Sequence, residues 1–143
     1  MTYRPAADGV AKYFFSMLDD TDRNDKYSEG IRRCIADFKR ESGYAPRVLD
    51  VGVGTGLLSA LGLLHGCEHV TGVDTNESMV ALASHNLESL DKRRKRHRVG
   101  KVTAGKAPFP EEERFDMLVS EILGTLAFSE SMFKYLSMYA KHL

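Results

Sequence analysis

The sequence predicts an α/β domain built on a parallel sheet, and three observations carry that prediction. Short apolar runs alternate with helical stretches whose apolar side chains recur three and four apart. The run Val48 to Val51 ends in glycines at alternate positions, Gly52, Gly54 and Gly56, and an apolar helical run follows at once. Acidic residues stand at the ends of later strands, Asp74 after the second and Glu121 after the fourth. Parallel strands joined by right-handed crossovers bind ligands beyond their carboxyl ends, so all three features meet on one edge of the sheet.

Residues 5–18 begin at Pro5 and carry Val10, Tyr13, Phe14, Met17 and Leu18 at helical spacing. The polar stretch from Asp19 to Lys26 is rich in turn and cap residues. It reads as a solvated loop, or else as charge presented to a partner. A second helix is expected from Ser28 to Ser42, with Ile31, Cys34, Ile35 and Phe38 on one face. Gly43 and Pro46 stop it. Strand one covers Arg47 to Val51. The helix after the glycines runs from Leu57 to His65, and Gly66 ends it. Strand two covers His69 to Val73. A helix from Glu77 to Leu90 follows, with Asn76 as its N-cap.

The basic run after Asp91, Lys92 to Arg98, reads as a helix C-terminus that favours cations and leads into a solvated loop. Its other readings are a nuclear address or a patch for an acidic partner. No aromatic residues interleave with it for base stacking. Strand three is placed at Val99 to Thr103 and strand four at Phe115 to Ser120. A last amphipathic helix starts near Glu130 and carries Met132, Phe133, Leu136, Tyr139 and Leu143.

At 143 residues the chain has the length of one domain. It divides into an N-terminal helical segment, 1–45, and a sheet-bearing part, 46–143. The 20 basic and 20 acidic side chains balance, so overall charge points to no nucleic-acid or membrane partner. No apolar stretch has membrane-span length and no signal peptide is read, so the expected locations are cytoplasm and nucleus. Cys34 and Cys67 are too few for a disulfide framework and are expected as reduced, small core residues.

The glycine turn discriminates between ligands. A pyrophosphate site wants a glycine at position 57, where the helix closes on the phosphates, and position 57 is Leu. Asp50, two residues before Gly52, would repel a phosphate. A carboxylate followed by bare backbone suits a cationic, amino-acid-like ligand. Asp74, 22 residues after Gly52, can accept hydrogen bonds from ribose hydroxyls. Together they indicate an adenosine-containing ligand without a pyrophosphate.

Glu121 and Glu130, nine residues apart with Gly124 between them, are the second pair. Two carboxylates facing one pocket repel unless a cation lies between them, and guanidinium is the planar cation that takes both. The competing reading is an unrelated strand-end acid and a helix N-terminal acid favoured by the dipole.

The glycine turn resembles the first motif of the S-adenosylmethionine-dependent methyltransferases. With Met17 to Arg23, Val73-Asp74, and Ser120-Glu121 through Glu130-Ser131-Met132, the chain resembles the protein arginine methyltransferases over nearly its whole length. The resemblance implies a truncated Rossmann-like methyltransferase fold, S-adenosyl-L-methionine as cofactor, S-adenosyl-L-homocysteine as product, and no metal. It implies that Arg23 holds the cofactor's carboxylate and that Gly52, Gly54, Gly56 and Leu57, with Asp50, form the methionine subsite. Asp74 would hold the ribose, Thr75 beside it would belong to the cofactor site, and Lys106 would lie in the adenine-contacting stretch. Glu121 and Glu130 would clamp the substrate guanidinium, Met17 and Met132 would wall the transfer site, and Asp20 would pair with a histidine of a later barrel domain.

Many family members carry Trp-Met-Gly after the first glutamate. Here the sequence is Ile122-Leu123-Gly124, which reads closer to the type III, monomethylating branch. The family's C-terminal β-barrel and a fifth strand are not found before Leu143, so a fragment of a longer, homodimeric protein is expected. Alone it is expected to be inactive. A catalytically silent cofactor-binding subunit and a nucleic-acid methyltransferase are the alternatives; the presence of both glutamates argues for an enzyme acting on arginine in proteins.

Overall fold

The structure, a computed structural model, describes residues 18–121 and 136–143. The elements are α1 (Thr21–Ser42), β1 (Arg47–Val51), α2 (Leu57–Leu64), β2 (His69–Asp74), α3 (Glu77–Leu90), β3 (His97–Lys101) and β4 (Met117–Ser120). Residues 136–140 are helical. The strands form one sheet in the order β3-β2-β1-β4, and every pairing is parallel. The strand order reverses direction at β1, so the crevice between the carboxyl ends of β1 and β4 is the position where such sheets hold ligands.

Register assigns the two faces. Val48, Asp50, Val70 and Val119 share one face, where α1, α2 and α3 pack, and Ile31, Ile35, Leu58, Leu63 and Leu87 complete that core. Leu49, Val51 and Val73 share the other, covered by Val102, Phe115 and Tyr139. Both faces are covered, which explains why the strands are near-continuous apolar runs rather than alternating ones.

Several expectations hold closely. β1, α3 and the Asn76 cap stand where the sequence places them, and Asn76 Oδ1 accepts from the Ser78 and Met79 amides at 2.9 and 3.4 Å. Met79, Ala83 and Leu87, four apart, are the buried side chains of α3. Gly43 closes α1 in the left-handed conformation and donates to Lys39 O at 2.9 Å.

Other expectations need correction. α1 begins at Thr21, not Ser28, so most of the polar stretch is helix rather than loop. Asp20 caps it by accepting from the Arg23 amide at 3.1 Å. Cys34 is exposed, while Cys67 is buried; Ile31 and Ile35 alone bury the face that Cys34 was expected to share.

The basic run is not one solvated loop. Lys92 to Lys95 are exposed, but Asp91 is only 6% exposed and accepts from the Arg96 amide at 2.6 Å and from its guanidinium at 3.0 Å. β3 then starts at His97, two residues before the expected Val99. Pairing with β2 sets this register, which the basic composition conceals. β4 starts at Met117 rather than Phe115, because the Phe115 amide donates to His142 O at 2.7 Å instead of joining the ladder. The start of the last helix, near Glu130, lies outside the described residues. Among the described residues no helix is long and apolar enough to cross a membrane.

Candidate active site

The site is assembled where β1 and β4 end. After Val51 the chain turns through Gly52, Gly54 and Gly56, all with positive φ (77°, 53° and 89°). Gly56 shows why glycine is needed. A side chain there would be strained at φ 89°, and its Cβ would lie 3.4 Å from Ala83 Cα of α3. The bare turn therefore lets α2 start directly against α3. The Gly52 and Val53 amides both donate to Val73 O, at 2.9 and 3.0 Å, which ties the turn to the end of β2.

Asp74 completes that tie. Its Oδ2 accepts from the Gly54 amide at 3.0 Å and its Oδ1 from the Asn76 amide at 2.9 Å. One carboxylate thus holds both the glycine turn and the lead into α3. Thr75 beside it is exposed.

Across the crevice, Glu121 stands at the end of β4. Arg23 Nη1, from the first turn of α1, lies 2.9 Å from Glu121 Oε1. Burial pushes the Glu121 carboxyl above its ordinary value, Arg23 opposes that rise and Asp20 adds to it. The cleft between the turn and this ion pair encloses about 60 Å³, and its walls include Arg23, Gly52, Gly54, Thr55, Leu57 and Glu121. A larger apolar groove of about 410 Å³ runs between α1 and β4, past Tyr27, Ile31, Cys34 and Met117. Among the described residues its charged lining is Arg23 and Lys26, so the smaller cleft is the better chemical site.

Asp50 lies beneath the turn and does not line the cleft. It is 1% exposed, and Ser59 donates to its Oδ2 at 2.7 Å. Its other oxygen has no hydrogen-bond partner among the described residues. Burial is the main force that pushes its carboxyl up to about 7; the Ser59 hydrogen bonds oppose the rise, and Asp74 and Glu121 reinforce it.

The fold therefore brings Arg23, Gly52, Gly54, Leu57 and Glu121 to one cleft, with Asp74 fastening its rim and Asp50 under its floor. Gly56 lies behind, at the start of α2. Lys106 is exposed in the turn after β3, away from the cleft walls. Asp20 is exposed as the cap of α1. Met17, Glu130 and Met132 lie outside the described residues. Among the described residues, no group of three His, Cys, Asp or Glu side chains could hold a metal ion.

A family model described as a methyltransferase domain matches residues 48–143, which takes in the glycine turn, the sheet and Glu121. The chain belongs to the methyltransferase family. Its curated relatives include protein arginine N-methyltransferases. Protein arginine N-methyltransferase 7 of Danio rerio is 34% identical over 115 residues, covering 78% of this chain and 17% of that protein. The protein of the same name from Drosophila mojavensis is 36% identical over 115 residues, covering 78% and 16%. The chain thus spans about a sixth of the length of these curated relatives.

Two solved structures share the fold. Protein arginine methyltransferase 10 of Arabidopsis thaliana, in an open conformation, has a TM-score of 0.66 at 24% identity, covering 89% of this chain and 34% of that one. The Trypanosoma brucei PRMT1 enzyme–prozyme heterotetramer with AdoHcy has a TM-score of 0.67 at 24% identity, covering 92% and 39%. The methyltransferase chain accordingly has the Rossmann-like fold expected of it.

Ser59 is a site residue that sequence reasoning missed, as are the cleft-lining Val53, Thr55 and Leu58. The signal for Ser59 was there: it is the sole polar side chain in the helix Leu-Leu-Ser-Ala-Leu-Gly-Leu-Leu, and it is fully buried. A buried hydroxyl in such a helix needs a partner, and Asp50, nine residues earlier in the buried strand β1, is one of the two acids equally near in sequence.

Proposed function

We propose that the cleft binds S-adenosyl-L-methionine, and that the protein to which this chain corresponds methylates a guanidinium nitrogen of arginine in proteins. The observation that carries this reading is Glu121, a strand-end carboxylate that faces the glycine turn and already holds a guanidinium, that of Arg23, at 2.9 Å. The residues present fit the cofactor. Bare backbone at Gly52 and Gly54 admits close approach, the acids Asp50 and Asp74 suit a cation, and Arg23 can receive a carboxylate. When bound, the cofactor would supply an activated methyl on a positively charged sulfur.

The chain's own residues then have defined tasks. Arg23 is charged to bind the ligand's carboxylate, which releases Glu121 to take the substrate guanidinium. Glu121 orients that group and localises its positive charge, leaving another nitrogen more nucleophilic. Alignment of that nitrogen carries much of the rate. The substrate nitrogen gains the methyl and loses a proton, for which Glu130 is the proposed acceptor. Asp74 serves the ribose. To do so it must share or surrender its bonds to Gly54 and Asn76, because both its oxygens accept backbone hydrogen bonds here.

The basic run gives little support to a nucleic-acid substrate. Arg96 is paired with Asp91 and Arg98 with Glu113, which leaves the exposed Lys92 to Lys95. Transfer of a single methyl is the finer proposal, supported by Ile122-Leu123-Gly124 after the first glutamate. A homodimeric full protein in the cytoplasm and nucleus belongs to the same reading and rests on the family resemblance.

The test is transfer of labelled methyl to an arginine-rich peptide and to RNA, with the full-length protein and with this chain. Peptide labelling by the full-length protein that vanishes with Glu121→Gln supports the reading. This chain alone is expected to be inactive. Labelling of RNA only, or full activity with Glu121→Gln, refutes the guanidinium assignment.

A further inference from the structure

We propose that Asp50 is a charge sensor beneath the glycine turn: its carboxyl carries a proton while the cleft lacks a cation and releases it to solvent when a cationic cofactor binds. The inference rests on the cofactor reading above and deepens it.

The geometry carries it. Asp50 is 1% exposed at the end of β1, directly under the turn that forms the cleft floor. Its single side-chain hydrogen bond comes from Ser59, which is itself fully buried, and Oδ1 has no partner among the described residues. An ionised carboxylate normally collects donors on both oxygens when buried, and one whose donors all come from Ser59, with Oδ1 left bare, is poorly compensated.

The charged groups around it make this worse. β2 contributes Asp74 and the end of β4 contributes Glu121, both of which oppose a second negative charge. From α1, Arg23 is engaged by Glu121, and Tyr27 is held neutral by burial and by Glu121. α2 offers the hydroxyl and the backbone of Ser59, and α3 presents Ala83 and Leu87 to the turn at Gly56. The carboxyl accordingly sits near neutral pH, where a modest change in local field decides its state.

A cation placed over the turn supplies the missing compensation. S-adenosylmethionine carries a sulfonium charge that S-adenosylhomocysteine lacks. Both forms keep the α-ammonium, so Asp50 would ionise more fully with the substrate form and regain part of its proton once the sulfonium charge has gone with the methyl. The device makes the site hold the charged cofactor and loosen its grip on the neutral product. Asp50 acts through the turn and not on the reacting atoms, so it is a positioning residue.

Isothermal calorimetry near pH 7, in buffers of different ionisation enthalpy, counts the protons exchanged on binding. The intact chain should release a substantial fraction of one proton with S-adenosylmethionine and clearly less with S-adenosylhomocysteine. Its affinity for S-adenosylmethionine should rise by up to about fivefold from pH 6 to pH 7 and level off above about pH 8, at up to about tenfold over its pH 6 value. Asp50→Asn should bind without proton release and with a flat pH profile.

Carboxyl carbon NMR of the cofactor-free chain tests the same group directly, without needing the variant to fold. A resonance titrating near neutrality that moves to the ionised position on adding S-adenosylmethionine supports the proposal. Binding with no proton release, or an Asp50 carboxyl already ionised at pH 5, overturns the sensor and leaves the cofactor reading intact. No binding of either ligand overturns both.

Discussion

Replacing Asp50 by Asn should change how the chain's stability responds to pH, independently of any ligand. The folded chain holds the Asp50 proton up to about 7, whereas the ordinary value for the group is 3.8. Between those limits the folded state binds more protons than the unfolded one, so stability falls as pH rises. Each pH unit in the interval costs a little over ~1 kcal/mol. Integrated, the penalty is about 2 kcal/mol at pH 5 and about 4 kcal/mol at pH 7. Above the folded value it grows no further.

The side chain is 1% exposed, so solvent screening does not dilute this cost. Asn keeps an oxygen for Ser59 but cannot ionise. Its amide N–H groups replace the unpartnered oxygen, an offset of roughly 1–3 kcal/mol that does not depend on pH. The diagnostic is therefore the slope. Urea unfolding at pH 5, 6 and 7 should show the parent losing about 2 kcal/mol relative to Asp50→Asn across the range. Histidines titrating in that window are common to both chains and cancel. Parallel stability curves would mean that Asp50 is already charged, and the account of the buried floor would fail.

The remaining predictions concern the frame of the site. Asn76→Ala removes the acceptor of the Ser78 and Met79 amides and should cost about 1 kcal/mol in urea unfolding. Gly72→Ala places a Cβ 2.6 Å from Val53 Cγ2, beside the glycine turn, and should lower stability by ~1–3 kcal/mol; no loss would show that Val53 gives way freely. Changing Arg93, Arg94 and Lys95 to Ser should shift stability by less than ~0.5 kcal/mol, since all three are exposed. Arg96→Ala should behave differently, costing roughly 1–3 kcal/mol because it strips the guanidinium bonds from the buried Asp91. Equal melting temperatures for the triple variant and Arg96→Ala would contradict the division of the basic run.

What the sequence determined by itself is what local rules govern. The order of strands and helices, the bounds of β1 and α3, the Asn76 cap and the acids at strand ends all follow from periodicity, capping and backbone freedom. These depend on residues within a turn or two of each other, so they survive without knowledge of neighbours. The glycine turn was legible for the same reason, because three alternate glycines after an apolar run have few other uses.

The tertiary structure decided whatever depends on burial and on contacts between distant residues. α1 starts at Thr21 because Asp20 caps a polar first turn and Ile31 and Ile35 seat the helix on the sheet, neither of which turn-rich composition reveals. The register of β3 follows from its pairing with β2, and the buried Asp91 draws Arg96 out of what reads as a solvated run. At the site, sequence spacing named Asp50, Asp74 and Glu121, yet their states differ. Asp74 is occupied by backbone amides, Glu121 by Arg23, and Asp50 is sealed under the turn with Ser59 as its donor residue. A carboxylate's chemistry is set by the donors, charges and solvent around it, and only the folded chain brings those together.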